Sequence, residues 1–145
     1  MILSELMSRL SHDACILTTK ILHKFDNIEP ITQIRAEATH CKKIKKIDGK
    51  VSFDSALQLY DKYRAFEGWP GIFVDNGTKL FDIELLDNSS ENGAGEILAI
   101  YEKSILVGCK KGTLKIGRLQ PPSKRAMDAK AYCIGRGLKV GHTLF

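Results

Sequence analysis

The apolar positions follow two different rhythms. Ile2, Leu3, Leu6, Met7, Leu10, Ala14, Leu17, Ile21 and Leu22 recur at helical spacing, which predicts one amphipathic helix from residue 4 to about residue 24. Its apolar stripe is wide for a lone helix and calls for a surface to pack on. Asp26-Asn27 closes the helix, and Pro30 opens an extended stretch, because the residue before a proline is pushed out of the helical region. Phe53, Ala56, Leu57, Tyr60 and Tyr63 carry the apolar face of a second helix. Ser52 or Asp54 can cap it, and Gly68-Trp69-Pro70-Gly71 ends it near Phe66. Trp69, the only tryptophan, is expected to anchor the core.

After Gly71 the period shortens to two. Ile72-Phe73-Val74 and the run from Lys79 to Leu86 flank Asp75-Asn76-Gly77, a hairpin signal, and Phe81, Ile83 and Leu85 are expected to face inward. A polar loop from Asp87 to Gly95 leads to strands over Glu96 to Tyr101, Ser104 to Cys109 and Thr113 to Leu119. Lys110-Lys111-Gly112 supplies the turn between the last two, since Gly112 tolerates positive φ. Leu119 falls on the wrong parity relative to Leu114 and Ile116, which predicts a bulge or bend near Gly117. Pro121-Pro122 cannot continue a ladder and holds Ser123-Lys124-Arg125 out at a corner. A short helix over Met127 to Ile134 precedes a glycine-rich tail. The pattern indicates an α+β fold: a small five- to six-stranded, oligonucleotide-binding-like barrel with one packed helix, preceded by the amphipathic helix and an extended linker. The corresponding division is 1–29, 30–50 and 51–145.

A chain of 145 residues with 43% hydrophobic content supports one core of real size. Its net charge of +5 is unevenly spread. The segment from Arg35 to Lys50 has six basic and two acidic residues, and Gly71 to Ile100 has one basic against six acidic. Tyr101 to Phe145 has ten basic against two acidic. This segregation predicts a basic face suited to a polyanion, nucleic acid before anionic lipid, with a solvated lysine surface as the alternative. The candidate contacts are Lys110, Lys111, Lys115, Lys124 and Arg125, expected to project from one hairpin unit, and the linker lysines Lys42, Lys43, Lys45 and Lys46. Cys15, Cys41, Cys109 and Cys133 lack metal-ligand spacing and read as reduced thiols. His12, His23, His40 and His142 have no carboxylate at a suggestive spacing and read as non-catalytic.

Four stretches together resemble the carboxy-terminal domain of methionyl-tRNA formyltransferase. Arg64-Ala65-Phe66-Glu67-Gly68-Trp69-Pro70-Gly71 is similar to the family's Arg-Ala-Phe-x-x-Trp-Pro-Gly helix end, and Gly95-Glu96-Ile97 to its Gly-x-Ile strand start. Leu119 to Met127 resembles its Leu-Gln-x-x-Gly-Lys-Lys-x-Met corner, with Ser123 where the family has glycine. Gly135 to Leu144 resembles its closing Gly-x-x-Leu-x-x-Gly-x-x-Leu. The family's catalytic Asn, His and Asp and its Ser-Leu-Leu-Pro loop have no counterpart here. The resemblance therefore implies a tRNA-binding module without catalytic residues or a cofactor of its own. The 10-formyltetrahydrofolate of the full-length family would belong to an N-terminal formyltransferase domain, from whose end the first helix comes. The implied partners are initiator methionyl-tRNA and that domain, in a cytoplasmic monomer with no membrane association. The alternatives are the same domain of a nucleotide-sugar formyltransferase, or a purely structural brace.

Overall fold

The structure is a computed structural model describing residues 1–145, and it divides into two compact units, Met1–Ile44 and Lys45–Phe145. In the first, helix α1 (Leu3–His23) begins where the Glu5 carboxylate accepts from the Ile2 amide at 3.1 Å. No residue of α1 is buried: Leu6, Met7, Leu10, Leu17, Ile21 and Leu22 all lie exposed. Short 3-10 turns at Phe25–Asn27 and Arg35–Glu37 interrupt the extended chain that follows.

The second unit starts at Lys45, before the end of the predicted linker. Its 3-10 turn Lys46–Gly49 leads into residues hydrogen-bonded to the segment after the second helix: Phe73 N donates to Gly49 O at 3.0 Å and Val51 N to Phe73 O at 2.9 Å. Gly49 is buried, and a Cβ there would sit 2.2 Å from Gly71 O, so the backbones meet too closely for any side chain. Helix α2 (Ala56–Ala65) is capped by Ser55, whose Oγ accepts from Gln58 N at 3.4 Å; Asp54 is instead drawn to Ser52 and Lys110.

One antiparallel sheet follows, with strands β1 (Lys79–Asp87), β2 (Ile97–Ile100), β3 (Ile105–Gly108), β4 (Thr113–Gln120) and β5 (Met127–Asp128), closed by helix α3 (Ala129–Gly135). The order is β1-β4-β3-β2, with β5 on β4. Because β1 runs along one edge of β4, β3 occupies the first half of the other edge (Ile105↔Ile116) and β5 its second half (Leu119↔Met127). That vacancy explains why Met127-Asp128 is strand and not the start of the predicted helix. Ile72–Val74 also differs from expectation. Only Phe73 bridges Lys79, and the Asp75-Asn76-Gly77 turn is closed by Val74 N to Thr78 O at 3.0 Å and by Asn76 Oδ1, which accepts from Thr78 N.

The bend expected at Gly117 is present, and it involves both strands. The β1–β4 ladder skips Asp82 and Gly117, and Asp82 takes φ +52. A Cβ on Gly117 would lie 2.8 Å from Asp82 Cβ. Across this break the parity flips, so the paired residues Leu80↔Leu119 and Ile83↔Ile116 are all buried. The inward residues of β1 are therefore Leu80 and Ile83, while Phe81 and Leu85 are half-buried. They join Phe53, Leu59, Ile97, Ile105, Val107, Leu114, Tyr132 and Leu144 in one core. Trp69 lies outside it, 59% exposed; the cis-peptide neighbour Pro70 is buried in its place.

Gly112 (φ +89) sits in a turn with no room for a side chain, since a Cβ would meet Asp87 O at 2.5 Å and Ala56 Cβ at 2.8 Å. Gly112→Ala should cost about 3 kcal/mol or more in urea unfolding. Gly135→Ala, with nothing within 4 Å, should be neutral or stabilising by about 0.5–1 kcal/mol. Asp87 opens the following loop by accepting from Ser90 N at 2.6 Å and Ser89 Oγ at 2.8 Å. Hydrogen bonds from Ser90, then Ser89, hold its carboxyl far below the usual carboxylate range. Its contribution to stability is thus complete above about pH 4 and is lost as pH falls toward the folded-state value. Urea midpoints measured from pH 6 to pH 2 should fall less steeply for Asp87→Asn than for the parent.

Candidate nucleic-acid interface

The basic side chains stand at two places set by β4. At its start, the β3–β4 turn is strapped to the approach of α2. Lys110 N donates to Phe53 O at 2.9 Å, Lys111 N to Asp54 O at 3.0 Å, and Ala56 N to Lys111 O at 2.9 Å. At its far end, the corner is set by backbone and side chain together. Lys124 N donates to Pro121 O at 3.1 Å, Gln120 Nε2 donates to Lys124 O at 2.9 Å, and Pro121 is buried. Pro122 Cγ would lie 3.2 Å from a Cβ on Gly77, which seats the corner beside the Asp75–Gly77 turn. Ser123 adopts φ +60, so serine takes the left-handed conformation that glycine prefers and the turn is kept.

The eight-residue strand, which would rise roughly 23 Å if straight, sets Lys110 and Lys111 at one end and Lys124 and Arg125 beyond the other. They do not form one cluster. Nor are all five free. Lys110 Nζ is 2.7 Å from Asp54 Oδ1; that hydrogen bond, reinforced by charge, raises the lysine pKa and lowers the aspartate's, Ser52 adding to the latter. Lys115 Nζ is 3.2 Å from Glu84 Oε2, its direct cross-strand neighbour. Arg118 likewise pairs with Asp82. The segregation of acidic and basic segments along the chain is thus undone by antiparallel pairing, which lays acidic β1 against basic β4. Lys111, Lys124 and Arg125 remain exposed and outside these ion pairs. Lys45 and Lys46 are exposed at the start of the same unit, and Lys42 and Lys43 are exposed in the first unit.

The other polar candidates are bound up locally. Arg64 pairs with Asp61 and lies 5.0 Å from the Tyr60 ring centroid, a structural role at the end of α2. His23 Nδ1 contacts Thr19 O at 2.8 Å, and His142 Nδ1 accepts from Lys139 N at 3.4 Å. No group of three or more His, Cys, Asp and Glu could hold a metal ion, and no helix is long and apolar enough to cross a membrane. All four cysteines are free. Cys15 and Cys41 are exposed, while burial pushes the Cys109 thiol up to about 12. Sequence reasoning missed one set of residues altogether: Tyr63, Phe66 and Phe81, half-buried rings from two elements that line a cavity of about 240 Å³ together with Lys79 and Arg118. No period in the sequence links residue 63 to residue 118.

The positive φ at Ser123 gives a direct check of the corner. Ser123→Gly should raise stability by about 1 kcal/mol, seen as a rise of a few degrees in Tm, whereas Ser123→Val should lower it.

The comparisons with known proteins agree with this architecture. A family model described as "Formyl transferase, C-terminal domain" matches residues 43–137. A methionyl-tRNA formyltransferase of a Sulfurovum species is 53% identical over 142 residues, which is 98% of this chain and 47% of that protein. One from a Nitratiruptor species is 48% identical over 97% of this chain and 46% of its own length. This chain thus spans about half the length of the curated relatives it matches. Among solved structures, a variant of HypX from Aquifex aeolicus has the same fold, with a TM-score of 0.61 at 18% identity over 90% of this chain and 24% of that one. HypX in complex with tetrahydrofolic acid superposes with a TM-score of 0.58 at 19% identity, over 87% and 23%. With two thirds of its residues inside the family match and its fold shared, the chain belongs to the formyl transferase C-terminal domain family, as the C-terminal part of methionyl-tRNA formyltransferases does.

Proposed function

We propose that this chain is the tRNA-holding part of a methionyl-tRNA formyltransferase, gripping initiator methionyl-tRNA for N-formylation in translation initiation. The observation that carries the reading is the pair of exposed, unpaired basic sites at the two ends of β4, on a backbone fixed by hydrogen bonds. Basic sites at opposite ends of a strand suit two phosphate contacts on one folded RNA better than a single small anion. In this reading Lys111, Lys124, Arg125, Lys45 and Lys46 make the first contacts, and Lys42 and Lys43 add charge from the preceding segment. Lys110 and Lys115 contribute only by exchanging a carboxylate for a phosphate.

Formyl transfer then belongs to an N-terminal domain, on which the exposed apolar stripe of α1 packs. The residues present do not fit the folate donor. The most apolar cleft, about 350 Å³ beside Phe53 and Phe145, carries Asp54 and Asp75 at its rim, and its Lys110 is committed to Asp54, so a donor's anionic tail is repelled. The cytoplasm and a monomeric state are part of the same proposal.

Binding driven by phosphate contacts is sequence-tolerant and falls with salt by a slope of about −0.7 to −0.9 per neutralised phosphate. Titration of tRNA at two salt concentrations should give a slope of about −3.5 to −4.5 for the five first contacts. Combined replacement of Lys111, Lys124 and Arg125 by alanine should flatten it by about two to three units without moving Tm. Unchanged binding after those replacements would favour a structural brace, and strong binding of a nucleotide sugar with none of tRNA would favour the other formyltransferase class.

A further inference from the structure

We propose that the notch between residues 50–52 and the first two turns of α2 seats one phosphate group, a backbone phosphate of the bound RNA. The proposal rests on the RNA-binding reading and adds to it a contact, Lys62, that no basic run in the sequence announces. The notch measures about 90 Å³. Small-molecule pockets begin at roughly 300 Å³, so its occupant is a compact group. Buried Val51 and Leu59 back it, and its polar lining comes from Lys50, Ser52, Ser55, Gln58 and Lys62. Ser55, Gln58, Leu59 and Lys62 share one face of the helix by their spacing.

Charge sets this notch apart from the larger clefts. The cleft beside Phe53 carries Asp54 and Asp75, the one beside Tyr63 carries Glu67 and Asp82, and the one beside Leu86 carries Glu84 and Glu102. No carboxylate lines the notch. Of its two cations, Lys50 is answered by Asp75, with Nζ 3.0 Å from Oδ1. Lys62 is paired with no acid. Its Nζ donates to Lys50 O at 2.9 Å, which fixes the ammonium in place against a neutral carbonyl. The positive charge and two further N–H groups are left for an anion. Ser55 Oγ already accepts from Gln58 N, and its proton remains to donate; the exposed Gln58 amide adds further donors. Ammonium, hydroxyl and amide donors from one helix face match the several oxygens of a phosphate better than the two of a carboxylate. Lys45 and Lys46, exposed on the turn that runs into Lys50, continue the positive surface to contacts already proposed.

The test titrates the isotope-labelled chain with inorganic phosphate and, at equal ionic strength, with acetate, followed by amide NMR. Phosphate should shift the signals of Ser55, Gln58 and Lys62, and acetate should leave them in place. Binding of tRNA is then measured at two salt concentrations. Lys62→Met should weaken it about fivefold and lower the salt slope by about 0.7–0.9, to that of the five first contacts, and Lys62→Arg should restore both. Lys103→Met makes the same charge change in the cleft walled by Glu84 and Glu102, and should alter affinity by less than about twofold. Urea midpoints report whether the variants keep the fold. Gln58→Ala, which leaves the Lys62 bond to Lys50 O in place, should by itself weaken the phosphate shifts. Equal shifts with acetate, or none with phosphate, would overturn the seat. Phosphate shifts with tRNA binding untouched by Lys62→Met would overturn its assignment to RNA while leaving the other phosphate contacts standing. Failure of the unaltered chain to bind tRNA, with the notch still answering phosphate, would overturn the RNA reading and leave a seat for a free phosphate.

Discussion

The fold depends on how β1 and β4 pair. Their ladder is the longest in the molecule, and a regular version of it could not bury both Leu80 and Ile83, or both Ile116 and Leu119, because residues three apart point to opposite faces of a strand. Skipping Asp82 and Gly117 shifts both strands at the same step, so two apolar cross-strand pairs enter one core. Glycine suits one side of the break because the Asp82 Cβ opposite would lie 2.8 Å from a Cβ there. Aspartate serves on the other because its carboxylate is answered by Arg118. One local irregularity thus sets core packing, an ion pair and the floor of a cavity.

Much of this was legible in the chain. The parity of Leu119 against Ile116 announced the bend at Gly117, and the two helices emerged within a few residues of their observed bounds. What sequence could not supply was the partner across the break, since parity on one strand says nothing about which residue of another strand must accommodate it. Phe81 was consequently placed inward in error. Met127 reads as helix by local preference, yet β4 offers an unfilled edge there, and ladder hydrogen bonds outweigh a propensity difference of a few tenths of a kcal/mol. Trp69 was misplaced for a related reason. Between Gly68 (φ +81) and Gly71 (φ +70) the chain turns so that the proline, and not the indole, faces the core.

The charge pattern shows the same limit. Runs of like charge along a sequence indicate a face only if the run stays together on folding, and an antiparallel sheet does the opposite by placing distant segments side by side. Glu84 and Lys115 are 31 positions apart and in direct register. The cations that survive as candidates are those on turns and corners, where no strand lies opposite. Of the proposed contacts, Lys111, Lys124 and Arg125 keep exposed side chains outside the ion pairs on such turns, while Tyr63, Phe66 and Phe81 come together only through the fold.

The outer edge of β1 has a further consequence, for solubility. β1 pairs with β4 alone, and past the Phe73 bridge its other edge has no ladder partner, the kind of border along which separate molecules can stack into fibrils. Here that border alternates Asp82, Glu84 and Asp87 with its apolar residues and is kinked at Asp82. Arg118 and Lys115 of β4 already answer Asp82 and Glu84, so it is the bend that denies a second copy a straight edge to pair with. The irregularity that packs the interior thereby also guards the rim of the sheet against self-association.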